Sequence, residues 1–169
     1  MDKKSITEFW NDTLIRFNMK SLSDYSLSKE TQDFLCSIGL PIKCEFLKDL
    51  CLSFYDDFEQ ININDSEYIV IGDDYGTKLC IVGKTGEVVS VDIEGNMNIR
   101  FINSNIECFL FFLQIFLTKK PELAGVDDEE AAEIVKAIKN SFNKFDLAAL
   151  SDDDNWWAVI LEQVEQGIL

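Results

Sequence analysis

The sequence predicts an α+β fold, in which an antiparallel β-sheet meander is flanked by α-helices on its N-terminal and C-terminal sides. Three observations predict this class. Four short apolar segments between Tyr68 and Ile102 are separated by turns that contain glycine. An apolar segment, residues 108–117, which contains Gln114 as its one polar residue, follows them closely. Apolar residues also recur at helical spacing near both ends of the chain, as they do in helices that cover a sheet.

The four apolar segments are close enough along the chain to pair with one another in sequence order. Strands joined by such short turns pair in the antiparallel sense, because a parallel pair needs a long crossover connection. The predicted strands are residues 68–72, 78–82, 87–91 and 99–102. They form the predicted meander.

The segments beside the meander have the end signals of helices. Residues 5–17 repeat apolar side chains at helical spacing. Ser28 is a suitable N-cap for a second helix, which Gly39 would end. Residues 104–107 read Ser-Asn-Ile-Glu, the pattern of a capping box in which Ser and Glu side chains satisfy free backbone amides. They introduce the apolar helix, which is too short to span a bilayer.

Two further helices are expected near the C-terminus. Residues 127–145 begin with acidic residues and carry lysines later, an order that complements the helix dipole. Ser151 or Asp152 is the expected N-cap of a last helix that ends near Gly167.

Residues 46–58 follow no single apolar period. We expect a loop there, followed by an irregular strand near residues 51–55. Asp56, Asp57 and Glu59 would then lie on a loop before the meander.

The composition indicates one acidic globular domain spanning residues 1–169. Hydrophobic residues make up 47% and aromatic residues 12% of the chain, which is enough for a packed core. The 31 acidic and 15 basic residues give a formal net charge of −16. Nucleic-acid binding needs a basic surface, so we expect no direct binding of nucleic acid and no attachment to an anionic membrane. The charge favours rapid capture of a cationic partner.

The acidic residues are concentrated in the C-terminal third. Residues 121–169 hold twelve acidic residues and three lysines, a net charge of −9. Their short separation in sequence predicts one acidic surface, although folding could divide it.

The scarcity of certain residue types argues against several kinds of active site. The absence of histidine excludes Ser-His-Asp and Cys-His catalysis and His-ligated metals. The five cysteines are odd in number and form no Cys-x-x-Cys motif, which argues against a disulfide framework and a zinc site. We therefore expect no cofactor and no metal. The N-terminus shows no signal-peptide pattern, so we expect a cytoplasmic protein.

The turn after the first meander strand carries Asp73, Asp74 and Tyr75. Asp and Gly suit such turns for conformational reasons alone. The alternative is an acidic tip that faces a partner, with Tyr75 as an amphipathic contact of the kind that interfaces favour. On that hypothesis all three residues bind a partner protein.

A second acidic group, Asp152, Asp153 and Asp154, precedes the last helix. One interpretation is a helix start at which acids complement the dipole. The other is a partner-facing patch. A calcium-binding EF-hand loop is excluded, because the sixth and twelfth positions counted from Asp152 are Trp157 and Gln163 instead of Gly and Glu.

Trp156 and Trp157 follow this acidic group. Adjacent residues in a helix point in different directions, so we expect one indole in the core and the other partly exposed. Trp156 is the candidate for the exposed position, where it would anchor an acidic interface. Abundant acids also leave open a hydrolase that uses two carboxylates, although no pair stands out.

The order of several short sequences resembles the SUKH superfamily, and its fourth immunity-protein clade most closely. The resemblance runs from about Phe34 to the C-terminus and rests on the ordered set, since no motif in it is specific alone. The matching sequences are Gly39-Leu40-Pro41, Ile71-Gly72-Asp73, Leu79-Cys80-Ile81, Lys84-Thr85-Gly86-Glu87-Val88, Phe101-Ile102-Asn103-Ser104, Trp156-Trp157-Ala158-Val159-Ile160-Leu161-Glu162 and Gly167-Ile168-Leu169.

The resemblance implies a sheet flanked by helices and a role as a bacterial immunity protein. Such proteins bind and block a cognate toxin, often a nuclease or a deaminase, of a polymorphic or contact-dependent toxin system. The family shares no catalytic residues and no toxin-binding surface that could be assigned by position. We therefore expect a non-enzymatic inhibitor of a basic toxin domain, as a monomer or a homodimer. A regulatory scaffold and an acid-only hydrolase remain the alternatives.

Overall fold

The computed structural model describes residues 3–47, 50–74, 76–95 and 97–168. Its α-helices are α1 Lys3–Trp10, α2 Met19–Leu22, α3 Lys29–Ser37, α4 Ile106–Lys119, α5 Asp128–Phe142 and α6 Trp156–Glu165. Its strands are β1 Leu14–Ile15, β2 Leu40–Pro41, β3 Lys43–Leu47, β4 Leu50–Ile63, β5 Ser66–Asp73, β6 Lys78–Val82, β7 Val88–Val91 and β8 Ile99–Asn103. Short 3₁₀ helices lie at Asn11–Thr13, Lys120–Leu123 and Leu147–Leu150. The predicted α+β class is confirmed.

Strands β3 to β8 form one antiparallel sheet in the order of the sequence. Each strand pairs with the next one, as in a meander, and the four predicted strands correspond to β5–β8. Strands β1 and β2 pair with each other separately. One row of paired residues crosses the whole six-stranded sheet: Lys43, Ser53, Asp73, Lys78, Val91 and Ile99.

The prediction for residues 46–58 is wrong in part, because residues 46–47 belong to β3 and residues 50–58 to the 14-residue strand β4. Residues 48 and 49, on which part of the expected loop falls, lie outside the described residues. The register of β4 on β5 shifts between Phe54 and Glu59, so the residues between them bulge out of the ladder. A bulge breaks the two-residue alternation of apolar side chains, which explains why the pattern resembled a loop. Asp56, Asp57 and Glu59 lie in a strand.

The sheet carries apolar residues on both faces. Its inner face packs against the helices in the main core. The opposite face holds a smaller cluster, to which strands and their turns contribute: Tyr68, Val70, Cys80, Val89 and Val91, with partly buried neighbours. Register shifts interrupt the β3–β4, β4–β5, β5–β6 and β7–β8 pairs. Such bulges bend strands and increase their twist, which curls the sheet around this second cluster.

Aromatic rings hold the helices against the inner face of the sheet. Phe112 of α4 stacks on Phe142 of α5 with ring centroids 3.8 Å apart. Trp157 of α6 meets Phe142 edge-on at 4.8 Å and Phe46 of β3 at 5.5 Å. All four side chains are fully buried, and each burial stabilises the fold by about 1.5–3 kcal/mol.

A buried polar network joins the end of β8 to the C-terminal helices. The Trp157 indole Nε1 donates a hydrogen bond to Oδ1 of Asn103 at 2.9 Å, and Asn103 Nδ2 donates to Oδ2 of Asp146 at 2.9 Å. The backbone N–H and the hydroxyl of Ser104 donate to the same carboxylate, each at 2.8 Å. Asn103 and Asp146 are buried. Each bond therefore satisfies a group that would be costly to bury alone.

The first helix is shorter than the predicted residues 5–17. It ends at Trp10 because Asn11 adopts a left-handed φ of 48°. The chain then passes through a 3₁₀ turn into β1, which pairs with β2. Gly39, expected to end α3, has a φ of 93°, and a Cβ there would lie 2.0 Å from the Ile15 carbonyl oxygen. Only glycine fits this position.

The N-cap of α4 is Asn105, and the expected capping box at Ser104 is wrong. Asn105 Oδ1 accepts a hydrogen bond from the backbone N–H of Cys108 at 2.9 Å. The Ser104 hydroxyl instead donates to Asp146, so Ser104 makes a tertiary hydrogen bond in place of the expected local one. α4 covers 14 residues, and in the described parts of the chain no helix is long and apolar enough to cross a membrane.

The start of α5 was predicted correctly, whereas the start of α6 was not. α5 begins as predicted, with Asp127 as its N-cap. α6 begins at Trp156 and not at Ser151 or Asp152. Asp152 Oδ1 accepts a hydrogen bond from the backbone N–H of Asp154 at 2.9 Å. Its side chain therefore shapes a turn before the helix instead of capping it.

Replacing Asp146 by Ala is expected to lower the free energy of unfolding by about 3 kcal/mol, the size expected when one partner of a buried charged network is removed. The Asn103 amide and both Ser104 donors would lose their acceptor. Urea unfolding followed by tryptophan fluorescence measures the loss. Asp153→Ala is the matched control, because Asp153 is exposed and should contribute less than about 0.5 kcal/mol. A loss below about 1 kcal/mol for Asp146→Ala would contradict the role of the network.

Candidate functional site

Seven carboxylates from three segments lie at one end of the sheet, which we call the acidic end. Pairing of Asp73 with Lys78, and of Lys78 with Val91, places the β5–β6 turn beside the β7–β8 turn. The turn before α6 reaches the same end, since Asp152 lines a groove with residues 98–101. The members of the acidic end are Asp73, Asp74, Asp92, Glu94, Asp152, Asp153 and Asp154.

The three aspartates before α6 form an exposed turn between two grooves. Asp152 and Asp154 line a groove of about 360 Å³ with Arg100 and Phe101 of β8. Asp153 lines a separate groove between the C-terminal part of α5 and α6. The turn therefore presents carboxylates in two directions.

Asp74 is turned inward, so the expectation that it forms an exposed tip is wrong. Residue Asp74 is only 9% exposed. Its Oδ1 accepts a hydrogen bond from the Thr77 hydroxyl, and its Oδ2 accepts one from the Trp156 indole Nε1 at 3.1 Å. Burial raises the pKa of this carboxyl, and the hydrogen bonds partly oppose that shift. Asp74 therefore ties the β5–β6 turn to α6.

Both tryptophans of α6 are buried, so the expectation that Trp156 is partly exposed is wrong. Trp156 is 5% and Trp157 0% exposed. Their rings meet edge to face at 4.8 Å, and Trp156 packs against Phe46 at 5.4 Å. Both fit because the first turn of α6 enters the core, where the two indoles donate to Asp74 and Asn103 respectively. Trp156 therefore supports the acidic end from within.

Asp73 is half-buried and belongs to a small polar cluster on the sheet. The Tyr55 hydroxyl donates to Oδ2 of Asp73 at 2.5 Å, and Lys78 Nζ donates to the Tyr55 oxygen at 3.0 Å. Lys78 Nζ also lies 5.4 Å from the centroid of the Tyr55 ring. Burial and the bond to Asp73 raise the pKa of the Tyr55 hydroxyl.

Sequence reasoning missed several residues of the acidic end. Asp92 and Glu94 lie in the β7–β8 turn, and Asp92 Oδ1 accepts a hydrogen bond from the backbone N–H of Gly95 at 2.8 Å. The predicted meander contained the signal for them, because alternate turns of a meander return to the same end of the sheet. Tyr75, the third residue of the predicted tip, lies outside the residues that the structure describes.

Most carboxylates of the acidic end have no ion-pair partner. The ion pairs among the described residues involve other acids, and they include neither Glu94 nor the three aspartates before α6. The basic side chains near this end include Lys78, bound to Tyr55, the exposed Arg100, and Lys139, which lines the Asp153 groove and pairs with Glu165. Unpaired carboxylates gathered at one end create a negative potential that attracts cationic partners.

The acids of the C-terminal third are divided by the fold and do not form one surface. Asp146 is buried. The C-terminal end of α5 leads towards the acidic end, whereas a further group of acids lies at its N-terminal end. The two ends of this 15-residue helix are about 22 Å apart. At the N-terminal end, Asp127 accepts hydrogen bonds from backbone N–H groups. These acids are explained by capping and by the helix dipole.

The described residues offer little for catalysis or metal binding. They contain no group of three or more Cys, Asp or Glu side chains placed to hold a metal ion. All five cysteines are free thiols. Burial raises the pKa of Cys44 and of Cys80 to about 12 and that of Cys108 to about 11, so these thiols are protonated and weakly nucleophilic at neutral pH. The exposed, unpaired carboxylates of the acidic end make it a candidate binding surface.

Asp74→Asn is expected to raise the free energy of unfolding at about pH 7 and to flatten its pH dependence. A carboxyl with a raised folded pKa binds more protons in the folded than in the unfolded state. Wild-type stability therefore falls as pH rises from the usual pKa of 3.8 through the raised value. Asparagine can accept from Trp156 and donate to the Thr77 hydroxyl without burying a charge. Urea unfolding between about pH 4 and pH 7 measures the difference.

Asp153→Asn is the control for the loss of one negative charge at the acidic end, because its side chain is exposed. It should leave the pH profile of stability close to that of the wild type. If Asp74→Asn were less stable than the wild type at neutral pH and kept the same profile, the charged form of Asp74 would be the one that the fold needs.

The model of the SUKH-4 immunity protein family matches residues 2–163. No curated protein and no solved structure was found to match the chain. The matched range holds the whole sheet, all three segments of the acidic end and most of α6. Because the match covers nearly the entire chain, the protein belongs to the SUKH-4 immunity protein family.

Proposed function

We propose that this protein is an immunity protein that binds one cognate bacterial toxin domain and neutralises it by non-covalent inhibition. Membership of the SUKH-4 immunity protein family carries the proposal. The toxin is a nuclease or a deaminase, and its inhibition needs no chemistry from this chain. The protein acts in the cytoplasm, where a toxin of this kind meets nucleic acid.

The acidic end is the proposed toxin-binding surface. An enzyme that acts on nucleic acid carries a basic face for the phosphates, and unpaired carboxylates are complementary to such a face. The exposed aspartates before α6 and Glu94 attract the toxin over a distance, because opposite charge accelerates encounter. Asp73 extends the surface along the β5–β6 turn, and Tyr75 is a proposed partner contact on the basis of the sequence alone.

Trp156 acts as a positioning residue in this proposal and not as a contact. Its buried indole holds Asp74, and Asp74 holds Thr77 across the β5–β6 turn. These bonds restrict the turn that carries Asp73. A binding surface that is ordered in advance loses less conformational entropy when the partner arrives.

Affinity capture from the native host tests the function. A tagged copy of the whole chain is incubated with lysate at about 0.05 and about 0.3 M NaCl, and bound proteins are identified by mass spectrometry. One dominant partner with a basic C-terminal domain, whose production stops growth unless this chain is co-produced, would support immunity. Several weak partners, all lost at the higher salt concentration, would instead support a regulatory scaffold.

Replacing Asp152, Asp153 and Asp154 together by Asn is expected to slow association with the captured toxin domain about tenfold at low salt. Dissociation should change less, because exposed charges act mainly before contact. Stopped-flow measurements at increasing NaCl concentration give both rates. The salt dependence of association should become shallower in the variant.

The matched control removes three charges from the start of α5 by Asp128→Asn, Glu129→Gln and Glu130→Gln. These residues are exposed and lie far from the acidic end. Their replacement should change the association rate much less. Equal slowing by the two triple variants would mean that only the net charge of the chain matters, and the acidic end would not be the contact surface.

A further inference from the structure

Strand β3 is an open edge of the six-stranded sheet. Among the described strands it pairs only with β4. The Phe54 N–H donates to the Ile42 carbonyl oxygen at 3.0 Å. In an antiparallel pair, every second residue of a strand directs its N–H and C=O groups at the neighbouring strand, so Cys44, two residues after Ile42, also directs them at β4. The N–H and C=O groups of Lys43 and Glu45 therefore face outward, where a further strand can pair with them.

A largely apolar groove of about 600 Å³ lies beside this edge. Phe9 and Trp10 of α1 and Leu117 of α4 line it together with residues 42–45. Ile42 is 57% exposed and Phe9 38% exposed. The described chain thus leaves apolar side chains uncovered next to backbone groups that pair with no other described strand, a combination typical of an interaction surface.

The two exposed side chains of β3 carry opposite charges. Lys43 Nζ lies 3.4 Å from a carboxylate oxygen of Glu45, and the side chains are 64% and 77% exposed. If two copies of β3 pair in antiparallel register about Cys44, Lys43 of each copy faces Glu45 of the other. Opposite charges placed across a strand pair are stabilising. The strand is therefore complementary to itself under a two-fold axis, as the interface of a symmetric dimer requires.

We propose that two copies of this chain associate through β3, whose antiparallel pairing joins their sheets. Lys43 and Glu45 of one copy exchange backbone hydrogen bonds with Glu45 and Lys43 of the other, and Cys44 lies on the two-fold axis. The Glu45 carbonyl oxygen already accepts a hydrogen bond from Lys120 Nζ at 3.1 Å. Its second lone pair is free for the N–H of the other copy.

The net charge of −16 opposes association of two copies, but its effect at β3 is limited. Lys43 and Lys120 offset Glu45 at the edge itself. Asp73 lies in the same row of the sheet as Lys43, two strands away from it. This distance, about 10 Å, is about one Debye length at physiological ionic strength. Screening therefore weakens the repulsion, while the pairing contacts lie within hydrogen-bond distance.

Antiparallel pairing turns the second copy end over end. Lys43 shares its row of the sheet with Asp73, so the two acidic ends project in opposite directions and both stay accessible. The dimer goes beyond the proposed function, and its test uses this chain alone. Failure of the dimer would therefore leave the immunity proposal intact, and the reverse also holds.

Sedimentation velocity of the whole chain between about 1 and about 300 µM tests the dimer. The wild type is expected to show a monomer–dimer equilibrium. Lys43→Glu places Glu opposite Glu, and Glu45→Lys places Lys opposite Lys, so each variant alone should weaken the dimer about tenfold or more. The double variant Lys43→Glu, Glu45→Lys restores opposite charges and should restore the dimer.

A mixture of the two single variants gives the sharpest result. One variant presents two acidic side chains on β3 and the other presents two lysines, so they are complementary to each other and not to themselves. Heterodimers should form although homodimers do not. Native mass spectrometry with one isotope-labelled variant distinguishes the two species.

Lys136 and Glu133 on α5 provide the matched control pair. They lie 3.0 Å apart with side chains 66% and 71% exposed, close to the values for β3. Reversal of either charge there should leave association unchanged, and circular dichroism verifies that every variant is folded. A wild type that stays monomeric over the whole range, or a dimer that the single reversals on β3 do not weaken, would overturn the proposal.

Discussion

The buried carboxylate of Asp146 is the constraint on which the C-terminal half of the fold depends. It has no ion-pair partner among the described residues, so hydrogen-bond donors must stabilise its charge. Asn103 and Ser104 supply these donors from the end of β8. Asn103 then accepts from Trp157, which determines where the first turn of α6 enters the core. Sheet, 3₁₀ turn and helix are thereby held in one arrangement.

The acidic end follows from that arrangement. Once Trp157 is bound to Asn103, its neighbour Trp156 reaches Asp74 and draws the β5–β6 turn onto α6. The turn before α6 is placed beside β8 by the same contacts. A group of exposed carboxylates is thus mounted on a rigid buried frame, which suits the proposed binding of a cationic partner.

Local signals predicted the parts of the fold that depend on local physics. Glycine-containing turns predicted β5–β8, and the acids followed by lysines in residues 127–145 predicted the start of α5, where Asp127 is the N-cap. The errors occur where a distant partner decides. Ser104 is engaged by Asp146, and the bulge of β4 depends on its pairing with β5. The core accommodates the indoles of both Trp156 and Trp157. Helical periodicity places only one of two adjacent residues in the core, so it could not predict the burial of Trp156.

The candidate surface shows the same division. Composition and turn position identified Asp73, Asp74 and the aspartates before α6. Their meeting at one end depends on strand register, which is also what adds Asp92 and Glu94. The inward position of Asp74 depends on Trp156, 82 residues away in the chain. Residue type could therefore identify the acids as candidates. Only the folded structure distinguishes the acids that face solvent from those that hold the buried frame.

The exposure of the turn before α6 has an evolutionary consequence. Exposed side chains in turns generally contribute little to the free energy of unfolding, so substitutions at Asp153 and Asp154 are nearly free of selection for folding, whereas Asp152 also accepts the hydrogen bond that shapes the turn. Substitutions at Asn103 or Asp146 are not, because both are buried in the network. On the proposed function, a lineage can change which partner it recognises by altering a few turn residues while the frame stays constant. A duplicated copy of this chain could diverge towards a new partner without passing through a sequence that fails to fold.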